Sequence, residues 1–500
     1  MRESLLIRAD GSARIGTGHV MRCLALAQSW QQAGGRAIFA QAASTPALER
    51  RLRQEGFETT QLDAEPGGIE DGVQTLEQAR TFKASWIVAD GYRFGTAWQN
   101  QIKDAGQRLL LIDDYGHAEH YSADWILNQN LHAVESLYAC REPHTHLLLG
   151  TRYALLRQEF LAWKNWQREM PAVARKVLVT LGGSDPDNVT GKVIEALAGL
   201  RNLEAVVAIG GSNQNIEAIR AAIRNGGTPV RLVEDAANMP ELMAWADVAV
   251  AAGGTTSWEL AFMGLPALIL VLAPNQSAVT KALEERGVAH NLGLASENSG
   301  DRIALAIQTL SHDSERRCAL SRAGGQYVDG LGSRRVSACL GAPKVEVRRA
   351  QPDDRRQLWE WANDPVVRRA SFNSAPIPWE AHVAWFEGKM SDGRCALFIG
   401  RTEQGEPLGQ VRFEWDDAGA AEAHVSLAAD WRGLGLASRL IERAVRELFQ
   451  TTQIQRVVAH VKPDNAGSIR AFEAASFRPQ GCVQIKGCEA LELVQARPAR

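Results

Sequence analysis

Short apolar segments of β type alternate with helical patterns over the first two thirds of the chain, and this alternation constrains the fold most. In the first 150 residues the β segments are SLLIRA, RAIFAQ, WIVAD, RLLLIDD and WILNQN. After Pro171 the pattern restarts at Val177–Leu181 and continues with LEAVVAIGGSN, VRLVEDAANM, ADVAVAAGG and LPALILVLAPN. Strands that alternate with helices form parallel, doubly wound sheets. We therefore expect two consecutive α/β units.

The order of predicted strands and helices changes after a stretch rich in glycine and small residues between Gly324 and Lys344. A strand and an amphipathic helix follow, then a hairpin pattern, another strand and a long helix, which indicates an α+β module. A chain of 500 residues suggests three domains, at about 150 residues per domain. We predict domains at 1–155, 156–340 and 344–500.

The composition is that of a soluble globular protein, with 45% hydrophobic and 23% charged residues. The net charge of −3 gives no reason to expect binding to nucleic acid or to a membrane surface. No apolar run reaches the roughly 18 residues of a membrane span, and the apolar start is too short for a signal peptide. The seven cysteines are scattered, without a CxxC pair, which favours reduced thiols and a cytoplasmic location.

No group of histidines and carboxylates has the spacing of a metal site, so we expect no metal. The histidines of HAEH at 117–120 and HTH at 144–146 are predicted to be surface or loop residues.

The second α/β unit contains a glycine turn between a buried strand and a helix. The strand ends at Gly253-Gly254, and Thr255-Thr256-Ser257 follow as the start of a helix with Glu259 in its first turn. Backbone amides at such a turn bind phosphate, and a carboxylate one turn later can accept hydrogen bonds from ribose hydroxyls. A helix that is merely capped, with Glu259 complementing its dipole, is the alternative.

A second glycine turn of the same kind favours a nucleotide site. It lies at Gly182, Gly183 and Ser184, near the start of this unit. The strand that follows the first turn ends at Asn275 and Gln276, which places amide side chains at the carboxyl edge of the sheet, where ligands of open α/β sheets bind. The pattern predicts a nucleotide diphosphate between these turns.

The first α/β unit begins with a strand, a glycine-rich turn and a histidine, in RADGSARIGTGHVMRCLALAQ. Gly16 and Gly18 flank the turn and leave space beside His19. A helix N-terminus lowers the pKa of a histidine, which would keep His19 neutral and able to accept a proton. Capping of the helix or donation to a phosphate are the alternatives.

Taken together, these motifs resemble the PseG family of UDP-sugar hydrolases, relatives of the MurG glycosyltransferases with the GT-B fold of two Rossmann-like domains. The resemblance covers about residues 1–340 and is carried by RADGSARIGTGHVMRCLALA, VADGY, LLLIDDYGH, LLGTRYALLRQEF, TLGGSDPDN and AAGGTTSWELAFMGLPALIL. It implies hydrolysis of a UDP-linked 2,4-diacetamido-trideoxy-altrose to UDP and the free sugar.

The resemblance also implies roles for particular residues. His19 matches the catalytic histidine of the family, and Tyr92 and Asn275 match residues near the reacting centre. Asp10 and Arg14 are expected to contact the sugar or to order a loop. Asp113-Asp114 is expected to end a strand and organise a loop rather than to act in the site.

The third domain has a glycine-rich loop between a strand and a long helix. The loop is formed by Arg432, Gly433, Leu434, Gly435, Leu436 and Ala437, and its backbone amides can hold a pyrophosphate. Another ordinary glycine turn is the alternative. The helix that follows is apolar at the spacing of a core helix, at Leu440, Ile441, Ala444, Val445 and Leu448.

Followed by VVAHVKPDNAGSIRAFEAASF, this loop resembles the GNAT N-acetyltransferases over about residues 344–495. The resemblance implies an α+β GNAT domain that uses acetyl-CoA as co-substrate, with further contacts from Leu427, Asn465, Ser468 and Phe472. Many GNAT enzymes carry a tyrosine as general acid where this chain has Phe472, so the leaving thiolate must be protonated otherwise.

Two residues of the strand before the loop are candidates for the base of the acetyl transfer, Glu422 and His424. On an alternating strand both can equally be solvent-facing side chains.

The two resemblances together predict a bifunctional enzyme of pseudaminic acid biosynthesis, with UDP-sugar and acetyl-CoA as ligands. It would acetylate N4 of UDP-4-amino-4,6-dideoxy-β-L-AltNAc and then hydrolyse the product. The rivals are a MurG-like glycosyltransferase with an accessory GNAT domain, enzymes of a legionaminic-type isomer, and a non-enzymatic sensor of both ligands.

Overall fold

The computed structural model describes residues 3–13, 15–341, 344–402, 405–416 and 419–498. The chain divides into two compact units, Met1–Leu340 and Gly341–Arg500. The first unit contains two sheets and the second contains one. No helix in the described part of the chain is long and apolar enough to span a membrane.

The first sheet is parallel throughout. Its strands are β1 (Ser4–Ala9), β2 (Arg36–Gln41), β3 (Glu58–Gln61), β4 (Ala84–Asp90), β5 (Leu109–Ile112), β6 (Trp125–Asn128) and β7 (His146–Leu149). They lie in the order β3-β2-β1-β4-β5-β6-β7. The helices beside it are α1 (Gly18–Gln32), α2 (Pro46–Gln54), α3 (Ile69–Thr81) and α4 (Thr96–Asp104).

Both faces of this sheet are covered, which explains why its strands are continuously apolar. Every residue of β1 is buried. Leu5 and Ile7 belong to one core cluster and Leu6 belongs to the other, as the alternation of side chains along a strand requires.

The second sheet repeats this architecture. Its strands are β8 (Lys176–Thr180), β9 (Glu204–Ile209), β10 (Val230–Glu234), β11 (Val248–Ala252), β12 (Ala267–Val271) and β13 (His290–Leu294), in the parallel order β10-β9-β8-β11-β12-β13. The helices are α5 (Gln158–Leu161), α6 (Val189–Ala198), α7 (Ile216–Asn225), α8 (Met239–Trp245), α9 (Thr256–Phe262), α10 (Ser277–Glu285), α11 (Gly300–His312) and α12 (Ser314–Tyr327). The predicted pair of Rossmann-like domains is confirmed.

The last helix of the first unit, α13 (Gly332–Leu340), returns to the first sheet. Val336 and Leu340 belong to the core cluster of β1, and the Trp86 indole donates a hydrogen bond of 2.7 Å to the Leu340 carbonyl. The predicted second domain, 156–340, therefore differs from the structure at its end, because α13 packs on the first domain.

The second unit has one mixed sheet. Its strands are β14 (Val345–Arg349), β15 (Cys395–Thr402), β16 (Pro407–Trp415), β17 (Ala420–Leu427), β18 (Arg456–Val461), β19 (Arg478–Ile485) and β20 (Cys488–Ala496), in the order β14-β15-β16-β17-β18-β20-β19. The helices are α14 (Arg355–Asn363), α15 (Pro365–Ala370), α16 (Trp379–Ser391), α17 (Leu436–Thr451) and α18 (Ala466–Ala474). The predicted α+β class is confirmed.

The only parallel pair in the described part of this sheet, β17 and β18, separates at one end. Their register runs from Ala420 to Glu422, although the strands continue to Leu427 and Val461. The gap between diverging strands opens toward the glycine-rich loop after β17.

The helix α17 packs as predicted. Its buried positions include all five residues singled out in the sequence, Leu440, Ile441, Ala444, Val445 and Leu448.

Candidate functional site

The candidate residues of the first unit follow the strands where the order of each sheet reverses. In the first sheet β1 and β4 are neighbours, and they lead to His19 and Tyr92. In the second sheet β8 and β11 are neighbours, and they lead to Gly183 and Gly254. Ligands of open α/β sheets bind at these switch points.

Both switch points face one cavity of about 630 Å³ within the first unit. This volume is large enough for a nucleotide-sized ligand. The lining includes His19, Tyr92, Gly183, Gly254, Glu259 and Asn275.

His19 is the second residue of α1, so the prediction that it lies at a helix N-terminus is confirmed. Its ring meets Tyr92 edge to face, with ring centroids 5.0 Å apart and an interplanar angle of 86°. A half-buried histidine on a cavity wall can exchange protons with a bound molecule.

The Tyr92 hydroxyl connects three elements. It donates a hydrogen bond of 2.7 Å to Asp114 Oδ2 and accepts one of 3.0 Å from Asn275 Nδ2. Burial and the negative charge of Asp114 raise the pKa of Tyr92 well above its ordinary value of 10.0. The phenol therefore stays protonated and is fixed in orientation.

Asp114 is held by a buried arginine. Arg22 donates to both oxygens of Asp114, at 2.7 and 3.1 Å, and to both oxygens of Asp90, at 2.6 and 2.7 Å. Burial raises the pKa of Asp114, but the charge and hydrogen bonds of Arg22 outweigh it, so that pKa lies well below 3.8. Asn130 adds a hydrogen bond of 2.8 Å to Asp114 Oδ1.

The adjacent aspartates have different roles, which the sequence did not separate. Asp113 organises the loop as expected, because it accepts hydrogen bonds from the amides of residues 115 and 116 at 2.9 and 3.0 Å. The expectation was wrong for Asp114, whose side chain is in the site. His117 lies in this loop, as predicted, but its side chain is only 5% exposed and lies 3.1 Å from Asp113.

Other predicted residues of the first domain have structural contacts. Asp10 accepts hydrogen bonds from Arg8 at 2.7 Å and from the amides of residues 42 and 43, which orders that loop. Gly16 has a φ of +79°, which a residue with a side chain rarely adopts. Gly18 faces Thr255 across the cavity. Arg14 lies outside the described residues.

The glycine turn after β8 touches the opposite wall of the cavity. A Cβ atom on Gly183 would lie 2.5 Å from Thr17 Oγ1, and Gly182 has a φ of +93°. Ser184 Oγ would lie 3.6 Å from a Cβ atom on Gly16. The two domains therefore approach closely where these glycines lie.

The glycine turn after β11 has room beside it. Gly253 is packed, since a Cβ atom there would lie 2.3 Å from Thr280, whereas nothing in the described part of the chain lies within 4 Å of one on Gly254. Thr255 and Thr256 line the cavity at the start of α9, where the first amides of a helix have no partner within it.

Of three residues near α9 that were predicted to contact the ligand, two accept hydrogen bonds from other protein groups and one is buried. Glu259 Oε1 accepts hydrogen bonds from Arg157 at 2.9 and 3.2 Å. Gln276 Oε1 accepts one of 2.9 Å from the Leu272 amide and so fixes its own loop. Ser257 is buried, and its hydroxyl has no hydrogen-bond partner among the described residues.

In the second unit, the glycine-rich loop has two glycines in the left-handed region of the backbone. Gly433 and Gly435 have φ values of +76° and +69°, and α17 begins at Leu436, followed by Ala437. Arg432 has a different role from its neighbours: it donates to the Leu427 carbonyl at 2.9 and 3.0 Å and to Asp364 at 2.9 Å. Leu434 and Leu436 are buried.

Two predicted residues at α18 have structural roles, one as the cap of the helix and one in the core. Asn465 Oδ1 accepts a hydrogen bond of 3.2 Å from the Ser468 amide and caps the helix. Phe472 is 5% exposed and packs on Phe477 with ring centroids 5.0 Å apart. The structure therefore places Phe472 in the core, and its contact with acetyl-CoA stays a prediction.

Glu422 and His424 lie on the face of β17 opposite the buried Ala421 and Ala423. Glu422 Oε1 lies 2.9 Å from Nδ1 of His460. Burial and the positive charge of Arg412 lower the pKa of His424 to about 4. A histidine with so low a pKa is a weak base at neutral pH, whereas the contact with His460 orients the carboxylate of Glu422.

Four side chains of these sites were not predicted from the sequence: Arg22, Asp114, Arg157 and His460. Arg22 follows His19 by three residues on α1, a spacing that places both on one face of a helix and could have indicated Arg22. The other three residues have partners distant in sequence, which no local pattern indicates. Among the described residues, no group of three or more histidines, cysteines and carboxylates could hold a metal ion.

Comparison with known families gives two matches. Residues 177–327 match the glycosyltransferase family 28 C-terminal domain, and residues 344–478 match the acetyltransferase (GNAT) domain. The first match lies in the domain with the predicted nucleotide site, and the second lies in the domain with the predicted acetyl-CoA site.

Relatives of known sequence cover the chain in whole or in part. The uncharacterized protein MJ1062 of Methanocaldococcus jannaschii is 20% identical over 95% of this chain and 96% of its own. The spore coat polysaccharide biosynthesis protein SpsG of Bacillus subtilis is 25% identical over 67% of this chain and 96% of its own. The UDP-2,4-diacetamido-2,4,6-trideoxy-beta-L-altropyranose hydrolase of Campylobacter jejuni is 26% identical over 48% of this chain and 81% of its own. The two predicted resemblances are confirmed.

Proposed function

We propose that this chain, which joins a glycosyltransferase family 28 C-terminal domain to a GNAT acetyltransferase domain, catalyses two consecutive steps on one UDP-sugar. The GNAT domain transfers the acetyl group of acetyl-CoA to the 4-amino group of UDP-4-amino-4,6-dideoxy-β-L-AltNAc. The first unit then hydrolyses UDP-2,4-diacetamido-2,4,6-trideoxy-β-L-altropyranose. The Campylobacter relative named for that hydrolase supports this choice of substrate.

One observation carries the hydrolase proposal: His19 and the glycine turn at Gly254 line the same cavity from its two domains. The turn at Gly254 and the carboxylate of Glu259 would hold UDP. The sugar would then extend toward His19, Tyr92 and Asn275.

The chemistry follows from this arrangement. His19 accepts a proton from a water whose oxygen attacks the anomeric carbon, and the bond from that carbon to the UDP oxygen breaks, so that UDP leaves with the electron pair. Attack opposite the leaving group inverts the anomeric centre. Amides at the glycine turns stabilise the negative charge of the departing diphosphate, and we propose that no metal takes part.

In the GNAT domain, the loop from Arg432 to Ala437 would hold the pyrophosphate of acetyl-CoA through its backbone amides. The pantetheine arm would enter between β17 and β18, where the strands separate after Glu422. Glu422 would remove a proton from the acceptor amine. Both ligands are cytoplasmic metabolites, which supports a cytoplasmic location.

Mass spectrometry of the products tests both steps. The wild type, given the UDP-4-amino sugar and acetyl-CoA, should release UDP and the diacetamido sugar, also in the presence of EDTA. His19→Ala should accumulate the acetylated UDP-sugar, and the exposed His144→Ala is the matched control. Complete hydrolysis by His19→Ala would contradict the role of His19.

A glycosyltransferase is the second candidate, because residues 177–327 match a glycosyltransferase domain. An acceptor sugar would then occupy the place of the attacking water. Release of UDP without any acceptor supports the hydrolase, and release only after an acceptor is added supports the transferase. The legionaminic-type isomer, offered as a competing substrate, tests the choice of sugar.

A further inference from the structure

A chain of ion pairs leads to Glu259, the carboxylate that follows the glycine turn at Gly253-Gly254. Arg157 donates to Glu259 Oε1 from Nη2 at 2.9 Å and from Nε at 3.2 Å. Both side chains are deeply buried, with 7% of Arg157 and 14% of Glu259 exposed. Both hydrogen bonds go to Oε1, so Arg157 anchors this oxygen and leaves Oε2 free of its own contacts.

Arg157 is itself held from the other side. Its Nη1 lies 2.9 Å from Glu159 Oε1, and Arg51 Nη2 lies 3.1 Å from the same oxygen. Arg51 belongs to α2 of the first domain and also pairs with Glu55 at 2.8 Å. Arg157 therefore lies between the first domain and the carboxylate of the second.

The charges explain why an arginine is needed at this place. The charged groups that face Glu259 are Arg157, Glu159 and Arg51. Burial raises the pKa of Glu259, and Arg157 is the strongest group acting to lower it. Without Arg157, a buried carboxylate beside a second carboxylate would take up a proton more readily.

We infer that Arg157 is the positioning residue for recognition of ribose: it orients Glu259 and keeps it ionised, so that this carboxylate accepts hydrogen bonds from ribose hydroxyls. The inference rests on the proposed UDP site and extends it to a residue outside the glycine turns. Arg157 also lines the cavity, and the inference is that it acts through Glu259.

Calorimetric titration of the full chain with two probes tests this role. UDP carries both ribose hydroxyls, and 2′,3′-dideoxyuridine 5′-diphosphate carries neither. In Arg157→Gln the affinity for UDP should fall at least tenfold, while the affinity for the dideoxy probe stays within twofold. Arg157→Lys should recover part of the loss, because it restores the positive charge.

A pH series and a control variant add to the test of Arg157. The UDP affinity of Arg157→Gln, divided by that of the wild type at the same pH, should increase as the pH rises and Glu259 loses its proton; this ratio cancels the ionisation of the UDP phosphate. Arg220→Gln is the matched control, since Arg220 pairs with two glutamates on the surface of the same domain. Its affinity for both probes should equal that of the wild type.

The alternatives give different results. An equal loss for both probes in Arg157→Gln, or no loss for UDP, would overturn the inference while the UDP site stands. Failure of the wild type to bind UDP would overturn the proposed function, and the inference with it.

Discussion

Asn275 donates a hydrogen bond of 3.0 Å to the hydroxyl of Tyr92, and this bond joins the second parallel domain to the first across the cavity. The same hydroxyl donates to Asp114 at 2.7 Å, so one phenol is fixed from both domains. The ring of Tyr92 in turn contacts the edge of His19. The position of His19 thus depends on contacts that the two domains make together.

Tyr92→Phe should slow UDP release about 10- to 100-fold, because the ring that contacts His19 loses both of its hydrogen bonds. The affinity for UDP should stay within about twofold, since the phosphate turns are unchanged. Steady-state kinetics of hydrolysis together with UDP titration measures both. Tyr153→Phe, whose ring packs against Arg152, is the control. Hydrolysis at the wild-type rate in Tyr92→Phe would refute a role for this hydroxyl.

Gly254→Ala should weaken UDP binding about tenfold, or about 1.4 kcal/mol, by filling the space beside the phosphate turn. The fold should be unaffected, because a Cβ atom at this position meets nothing within 4 Å in the described structure. Thermal unfolding should shift by less than about 2 °C. Gly300→Ala, also at an open position, is the control for the substitution itself. Unchanged UDP affinity would exclude this turn as the phosphate site.

Much of the fold follows from periodicity. The apolar segments of the first two thirds predicted the central strands of both parallel sheets, because central strands are buried on both faces and read as continuous apolar runs. The edge strands β3 and β7 were missed: β3 is the polar ETTQ, and an edge strand has only one neighbour to specify it. The return of α13 to the first domain is a tertiary contact that no local pattern encodes.

The candidate site was predictable where a glycine turn follows a strand. Turns at Gly16, Gly183 and Gly254 locate the switch points of both sheets. The polar partners were not predictable, because Arg22 and Asp114 are 92 residues apart and meet only in the folded chain. The core position of Phe472 was not predictable either, because its partner Phe477 belongs to a packing contact that the motif does not specify.

Glu422→Gln should lower the rate of acetyl transfer about 100-fold, the magnitude usual for loss of a general base. His424→Asn, on the same face of the same strand, should retain the rate within a few-fold. The contact of 2.9 Å with His460 Nδ1 orients the carboxylate of Glu422, whereas burial and the charge of Arg412 lower the pKa of His424 to about 4. Release of CoA measured from pH 6 to pH 9 compares the two variants. A larger loss in His424→Asn than in Glu422→Gln would reverse the assignment.

Asp114→Asn should destabilise the first unit, and the effect should depend on pH. The pKa of Asp114 in the folded protein lies below its ordinary value of 3.8, because the charge and hydrogen bonds of Arg22 outweigh burial. A carboxyl with a lowered pKa stabilises the fold above its unfolded pKa, and this contribution is lost as the pH falls through the folded value. We expect a deficit of about 2–4 kcal/mol for the variant near pH 7, since Arg22 keeps only Asp90 as an ionised partner.

Calorimetric unfolding of the wild type and Asp114→Asn between pH 7 and pH 3 measures this deficit. It should stay constant down to about pH 5 and shrink below about pH 4, where the wild type begins to lose its own stabilisation. The exposed Asp63→Asn is the matched control, and its unfolding should follow the wild type at every pH. A deficit that grows as the pH falls would mean that Asp114 is protonated in the folded protein. The ion pair with Arg22 would then not be what holds Asp114 beneath Tyr92.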